Sequence, residues 1–310
     1  MPGGYLAVDV FFVMSGCVLA HAYERRLREG WGVGPFLRRR LVRFLPLHVL
    51  GMALGLSAEV VARMVKGAPL APGQLALWTA LGAAFVPVAG AMFMFPLNSP
   101  GWSLLHELLV NTVYAAVAPW LRTGVLLRAL GVTGLALAAT VVTHGKADLG
   151  ASLGEFLPAV LRTVYAFVAG LLLYRAWRAR GGRRLLPGTL HPGLVVAAMC
   201  VVLALPVHGA ARTATDLLAV TVLSPLAVGA LLGAPLGDRL KRLGAWLGEA
   251  SFAVYALHWP VVRLAGGVAQ RLALPRVLVG ALLVVGLLAT ARRVDRVFDR
   301  PIRAWMQRRA

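Results

Sequence analysis

Apolar runs long enough to cross a bilayer, separated by short clusters of arginine, make up most of the chain. A spanning helix needs about 20 mostly apolar residues. Ten segments approach that length: 5–22, 42–62, 76–95, 102–121, 125–143, 158–174, 193–208, 213–234, 248–266 and 275–291. They lack the period-two alternation of outer-membrane strands. The pattern predicts an all-α fold, a polytopic transmembrane helical bundle of about nine or ten spans. It reads as a single membrane-embedded domain over residues 1–310, with no internal repeat and no soluble appendage.

The loops set the orientation. Seven arginines lie in 23–43, five in 175–184 and seven after residue 291, while 235–247 holds Arg239, Lys241 and Arg242. Basic loops stay on the cytoplasmic side, so all four are expected there, with a cytoplasmic C-terminus and residence in the bacterial inner membrane. Loops on one side are separated by an even number of crossings, yet five candidate segments lie between the first two. The stretch 76–101, with Pro87, Gly90, Pro96, Pro100 and Gly101, is the expected non-crossing piece; such backbone is tolerated where protein or a cavity shields it. Segment 125–143 is a weaker suspect. With nine crossings the N-terminus is outside, and the chain starts almost inside a span.

Composition agrees. Of 310 residues 59% are hydrophobic and 14% charged, against roughly 45–50% and 25% in soluble domains. An ordinary soluble enzyme and a disordered chain are excluded. The net charge of +20 comes from 32 basic and 12 acidic residues, 29 of the basic ones arginine; part of that bias reflects a GC-rich genome. In a soluble chain such an excess points to nucleic acid. Here orientation accounts for it, and no nucleic-acid partner is predicted. Cys17 and Cys200 lie in apolar runs and read as buried small residues. No metal site and no bound cofactor are expected, and no cleavable leader is read at Met1-Pro2-Gly3-Gly4.

Polar side chains inside the spans are the candidate chemistry, because a carboxylate in hydrocarbon needs a partner or a wet cavity. Asp9 is such a residue, one turn into an apolar helix; it is a packing partner or a site residue. Ser15 and Gly16 read as small-residue packing or as part of a site. From Trp102 onward Ser103, Glu107, Asn111 and Tyr114 recur at four, four and three residues and form one stripe. It lines a cavity or a helix interface, and Glu107 is a candidate general acid or base. His106 points about 100° away from it. Arg40 and Arg43 share a helix face. Their planar forks suit phosphate oxygens, and equally a cluster that fixes orientation and touches anionic lipid. Ser251, Tyr255 and His258 also share a face, and His258 is a proton carrier or a packing residue. His21, His48, His144, His191 and His208 show no metal-ligand spacing and are assigned no role.

Three stretches carry a resemblance. The first is Gly4-Tyr5-Leu6-Ala7-Val8-Asp9-Val10-Phe11-Phe12-Val13-Met14-Ser15-Gly16, followed by Arg40-Leu41-Val42-Arg43 with Pro46 nearby. The second is Trp102-Ser103-Leu104-Leu105-His106-Glu107. The third is Leu247-Gly248-Glu249-Ala250-Ser251-Phe252-Ala253-Val254-Tyr255-Ala256-Leu257-His258. With a terminal Asp299-Arg300-Pro301 they resemble, in order over residues 4–303, the acyltransferase-3 family of integral-membrane bacterial O-acyltransferases. The resemblance implies transfer of an acetyl or other short acyl group from acyl-CoA to a hydroxyl of a cell-surface carbohydrate or related acceptor. It implies a donor site at Arg40 and Arg43 and substrate contacts at Asp9, Ser15, Trp102, Ser103, Asn111 and His258, with the lipid bilayer as the remaining partner. Glu107 is the best titratable group for catalysis. The family's first helix carries a histidine proposed as the base, and that helix is expected to precede residue 4. Its absence leaves two readings, a start assigned too late or a truncated, catalytically deficient relative. A transporter is the other class compatible with intramembrane carboxylates, but it would often show internal repeats or paired broken helices.

Overall fold

The computed structural model describes residues 3–186, 192–271 and 275–308. His191, Arg309 and the first two residues of the leader reading lie outside them. The described residues form helices and no strand: α1 Ala7–Arg28, α2 Val33–Lys66, α3 Pro72–Ala83, α4 Gly101–Val117, α5 Thr123–His144, α6 Phe156–Ala179, α7 Pro192–Ala204, α8 Gly209–Leu218, α9 Ser224–Leu231, α10 Asp238–Arg271, α11 Arg276–Val294 and α12 Arg300–Arg308.

Among the described residues six helical stretches, where the sequence pattern predicts nine or ten, reach the length and hydropathy of a crossing by themselves: Gly4–Arg28, Val33–Lys66, Thr123–His144, Leu153–Ala179, Gly209–Leu231 and Val277–Arg308. The shortfall has physical causes. α4 has 17 residues and α7 has 13. α10 is long enough but carries Glu249, His258 and Arg263 along its apolar stretch. Segment 76–95 is not one helix. α3 stops at Ala83, Phe85 and Gly90 take positive φ, and 84–100 runs irregularly to α4. The break falls where the charge parity asks for a non-crossing piece. Outward faces of the long helices carry bare aliphatic side chains, among them Val132, Leu135, Leu282 and Val285. Apolar faces of this extent are met by lipid, and the chain is a multi-pass membrane protein.

The chain divides into two compact units. The first takes Met1–Leu37, His106–Gly150 and Gly154–Pro235; the second takes Arg38–Leu105, Ala151–Leu153 and Leu236–Ala310. Within the first, α1 and α6 pack backbone to backbone. A Cβ placed on Gly16 would lie 2.2 Å from the Phe167 carbonyl oxygen, and one on Gly170 would lie 2.1 Å from that of Val13. Small residues permit such approach where helices associate in lipid. At one end of this unit Arg175 pairs with Glu24 at 2.5 Å, and the Leu121 carbonyl accepts from Arg28 at 2.7 Å and from Arg175 at 2.8 Å. The basic stretches after α1 and at the end of α6 therefore lie side by side, as expected of two loops on one side. At the other end Gly3 N–H donates to Leu203 at 3.0 Å and Thr213 Oγ1 to Gly145 at 2.7 Å. Cys17 is buried, its thiol on the Gly170 carbonyl at 3.1 Å. Cys200, expected to be buried, is exposed, because it lies on the outward face of α7.

Within the second unit Gly51 and Gly55 of α2 form a G-x-x-x-G stripe. A Cβ on Gly55 would meet the Leu97 oxygen at 2.1 Å, and one on Gly51 would meet the Ala256 oxygen at 2.5 Å. The irregular stretch lies against this groove, and Asn98 Nδ2 ties it to the Ala256 carbonyl of α10 at 2.9 Å. His48 stacks on Phe85 at 3.9 Å and bonds the Gly82 carbonyl at 2.8 Å, which holds the break at the end of α3.

Gly16→Val and Gly170→Val are expected to part α1 from α6, at a cost of about 1–3 kcal/mol or more. Lowered midpoints in detergent unfolding, beside an unchanged Gly34→Ala control whose added Cβ meets nothing, would be the measured result.

Candidate functional site

In the first unit three helices supply the polar interior. α1 carries Asp9 and Ser15 on different faces, α4 carries Glu107 and Asn111, and α6 carries Arg162. Asp9, Glu107 and Asn111 are fully shielded, and Arg162 nearly so. Asp9 meets Arg162 as a fork: Nη2 to Oδ2 at 2.6 Å and Nε to Oδ1 at 3.2 Å. The guanidinium also reaches the Leu149 carbonyl at 2.8 Å. Asp9 therefore has the partner that its position demands, and both its oxygens are engaged. A second buried acid, Asp216, accepts from Tyr5 Oη at 2.5 Å and from Ala147 N–H at 2.7 Å, and pairs with Arg212 at 2.6 Å.

Ser15 Oγ donates to Glu107 Oε1, and Asn111 Nδ2 donates to the same oxygen at 3.0 Å. Ser15 thus serves the polar cluster, while its neighbour Gly16 does the close packing. Two donors on one oxygen orient the carboxyl within a water-poor interior, where charge and proton affinity respond strongly to neighbours. Tyr114 continues the stripe and packs edge-on against Phe167 at 5.5 Å. His106 turns away from Glu107, as its angular offset predicts, and lies against Phe156 at 4.7 Å.

The second unit holds the remaining candidates. Arg40 and Arg43 are half-buried on α2. The Arg40 guanidinium covers the Phe44 ring at 4.6 Å; that of Arg43 covers Phe252 at 5.0 Å and reaches Asp299 at 3.3 Å. Rings behind both cations fix the guanidinium planes. Trp102 is buried at the start of α4. Ser103 bonds Tyr255 Oη, and both hydroxyls reach the Pro100 carbonyl, at 3.1 Å and 2.9 Å. His258 Nδ1 lies 2.7 Å from the Tyr255 carbonyl. Ser251 does not join them: it is exposed and bonds its own helix at the Gly248 carbonyl, 2.9 Å away.

The structure therefore joins Ser15, Glu107 and Asn111 in one cluster and Ser103 with Tyr255 in another. Sequence reasoning missed Arg162, although a lone arginine inside 158–174 is itself a signal that an acid faces it. It also missed the acids at 216 and 295, which sit in or beside apolar runs.

Known proteins place the chain. The acyltransferase domain family matches residues 2–291. "Protein 2 in picA locus" of Rhizobium radiobacter is 43% identical over 36% of this chain and 64% of its own length. "Acyltransferase MdmB" of Streptomyces mycarofaciens is 28% identical over 84% of this chain and 68% of its own. The chain thus spans about two thirds of the length of these curated relatives. No solved structure matches.

Asp9→Ala removes the carboxylate that the buried Arg162 forks onto, which is expected to cost about 3–5 kcal/mol. The paired change Asp9→Leu with Arg162→Met is expected to recover most of that. Unfolding midpoints of the single and double variants read the difference.

Proposed function

The chain belongs to the acyltransferase-3 family, and we propose that it is an inner-membrane O-acyltransferase. It moves an acetyl or short acyl group from acyl-CoA to a hydroxyl of a carbohydrate or related acceptor. Counting α4, α7 and α10 with the six long stretches gives nine crossings and a cytoplasmic C-terminus. The donor then arrives from the side where the arginine clusters lie.

Arg40 and Arg43 hold phosphate oxygens of the donor, their planes set by Phe44 and Phe252. Glu107 takes the proton of the acceptor hydroxyl as its oxygen attacks the thioester carbonyl carbon. The carbon–sulfur bond breaks, CoA leaves as the thiolate and regains a proton, and the ester remains on the acceptor. Ser15 and Asn111 keep the Glu107 carboxyl in place. Trp102, Ser103 and His258 are assigned to the substrates, and Asp9, held by Arg162, to the framework of the first unit. The observation that carries the reading is a shielded carboxyl on a membrane helix, oriented by a hydroxyl and an amide, in a chain matched to the family over nearly its whole length.

The test uses labelled acetyl-CoA and membranes from expressing cells. Glu107→Gln is expected to lower acceptor labelling about 10²–10⁴-fold, the range of a lost general base, with the protein level unchanged. Arg40→Ala/Arg43→Ala is expected to raise the donor KM. Equal labelling in all three proteins would refute both assignments.

A further inference from the structure

The terminal Asp299-Arg300-Pro301 turn has no part in the scheme above, yet it lies against Arg43. Pro301 has no N–H, so the Val297 carbonyl loses its helical donor, and the ring crowds that carbonyl. The helix answers by widening into a π turn over Asp295–Asp299. The wide turn places Asp295 and Asp299, four residues apart, on one buried face. Arg303 Nη2 reaches Asp299 at 2.9 Å and Asp295 at 3.3 Å, Arg300 Nε reaches Asp295 at 2.6 Å, and Arg43 Nη1 reaches Asp299 at 3.3 Å. Two carboxylates thus hold three guanidiniums.

Each guanidinium has five N–H donors, more than the two acids absorb. Arg303 Nε has no hydrogen-bond partner among the described residues. The three arginines line one open cavity of about 510 Å³ with Glu249 and Gln307. Glu249, itself 39% exposed, holds Arg300 at 3.2 Å from the cavity side. Asp299 sits behind the arginines, Asp295 shares the cavity wall with them, and Glu249 is the exposed, displaceable acid of that wall. Fixed, planar, partly unsatisfied guanidiniums around a cavity are suited to phosphate oxygens. Both chain segments belong to regions that the charge pattern assigns to the cytoplasmic side.

We propose that this cavity takes a phosphate group of the nucleotide donor, with Arg300 and Arg303 binding it beside Arg43, and with Asp295 and Asp299 as positioning residues. The proposal rests on the donor reading of Arg43 and extends the site to the last helix of the chain. Asp299 sets where Arg43 and Arg303 point, and the proline that follows it sets where Asp299 points.

The test measures CoA binding to the purified full chain in detergent, and donor KM and kcat with acetyl-CoA. Arg300→Gln/Arg303→Gln is expected to raise the CoA Kd and the donor KM about tenfold or more, as lost charge-assisted hydrogen bonds do, while kcat falls less than twofold. Asp299→Asn is expected to raise KM in the same sense, and Asp299→Glu to regain part of it. Glu249→Gln keeps every arginine and removes the competing anion, so it should tighten binding of CoA and of inorganic pyrophosphate severalfold; weaker binding there overturns the proposal, whether or not the arginine variants fold. If the unmodified protein binds CoA and the arginine variant binds it equally, this site falls and the donor role of Arg40 and Arg43 stands. If the unmodified protein binds no CoA, both fall. If the arginine variant instead loses copurifying phosphatidylglycerol at unchanged CoA affinity, the cavity belongs to a lipid headgroup and the proposal is overturned.

Discussion

Hydrocarbon does not tolerate an isolated charge, and the interior of this protein is arranged around that constraint. Asp9 and Arg162 meet as a fork in the first unit. Glu24 and Arg175 close one end of that unit. In the second unit Glu59 bridges Arg63 and Arg263 at 2.8 Å and 2.5 Å. Each pair ties helices distant in sequence or neighbouring turns of one helix. Such pairs add little net stability over an apolar match, but breaking one is expensive. They act as address labels, because a helix rotated by a residue or two would leave a charge facing lipid.

Within the same interior Ser15 and Asn111 give Glu107 a hydroxyl and an amide on one carboxyl oxygen. Two such donors orient the carboxyl. In the second unit the Phe252 ring and the buried acids Asp295 and Asp299 fix Arg43 and Arg303, and Arg303 Nε is left without a hydrogen-bond partner among the described residues.

Much of this was legible in the sequence. The apolar runs gave the helices, and the Pro- and Gly-rich stretch after Ala83 marked the break that the arginine count required. The four-four-three spacing placed Ser103, Glu107, Asn111 and Tyr114 on one stripe, and all four are buried. What stayed hidden is which helix faces which. Asp9 demanded a cation, but nothing local pointed to Arg162, 153 residues away. Hydrophobicity also fails to say whether a 17-residue helix such as α4 crosses or is simply buried, since both are mostly apolar. Gly51 and Gly55 did leave a readable mark, the small-residue spacing at which backbones touch. Two π turns were foreshadowed only by the prolines that follow them, Pro225 and Pro301.

The Leu121 carbonyl, clasped by Arg28 and Arg175 just past the end of α4, fixes more than a loop. It anchors the end of α4, so the position of the Glu107 carboxyl along the helix is measured off from that charged end. Glu107 lies ten residues before Val117, which is about 15 Å along a helical axis. Inserting a single residue between them would raise the carboxyl by about 1.5 Å and swing it through about 100°, out of reach of Ser15. The length of that one helical segment therefore acts as a ruler for the carboxyl.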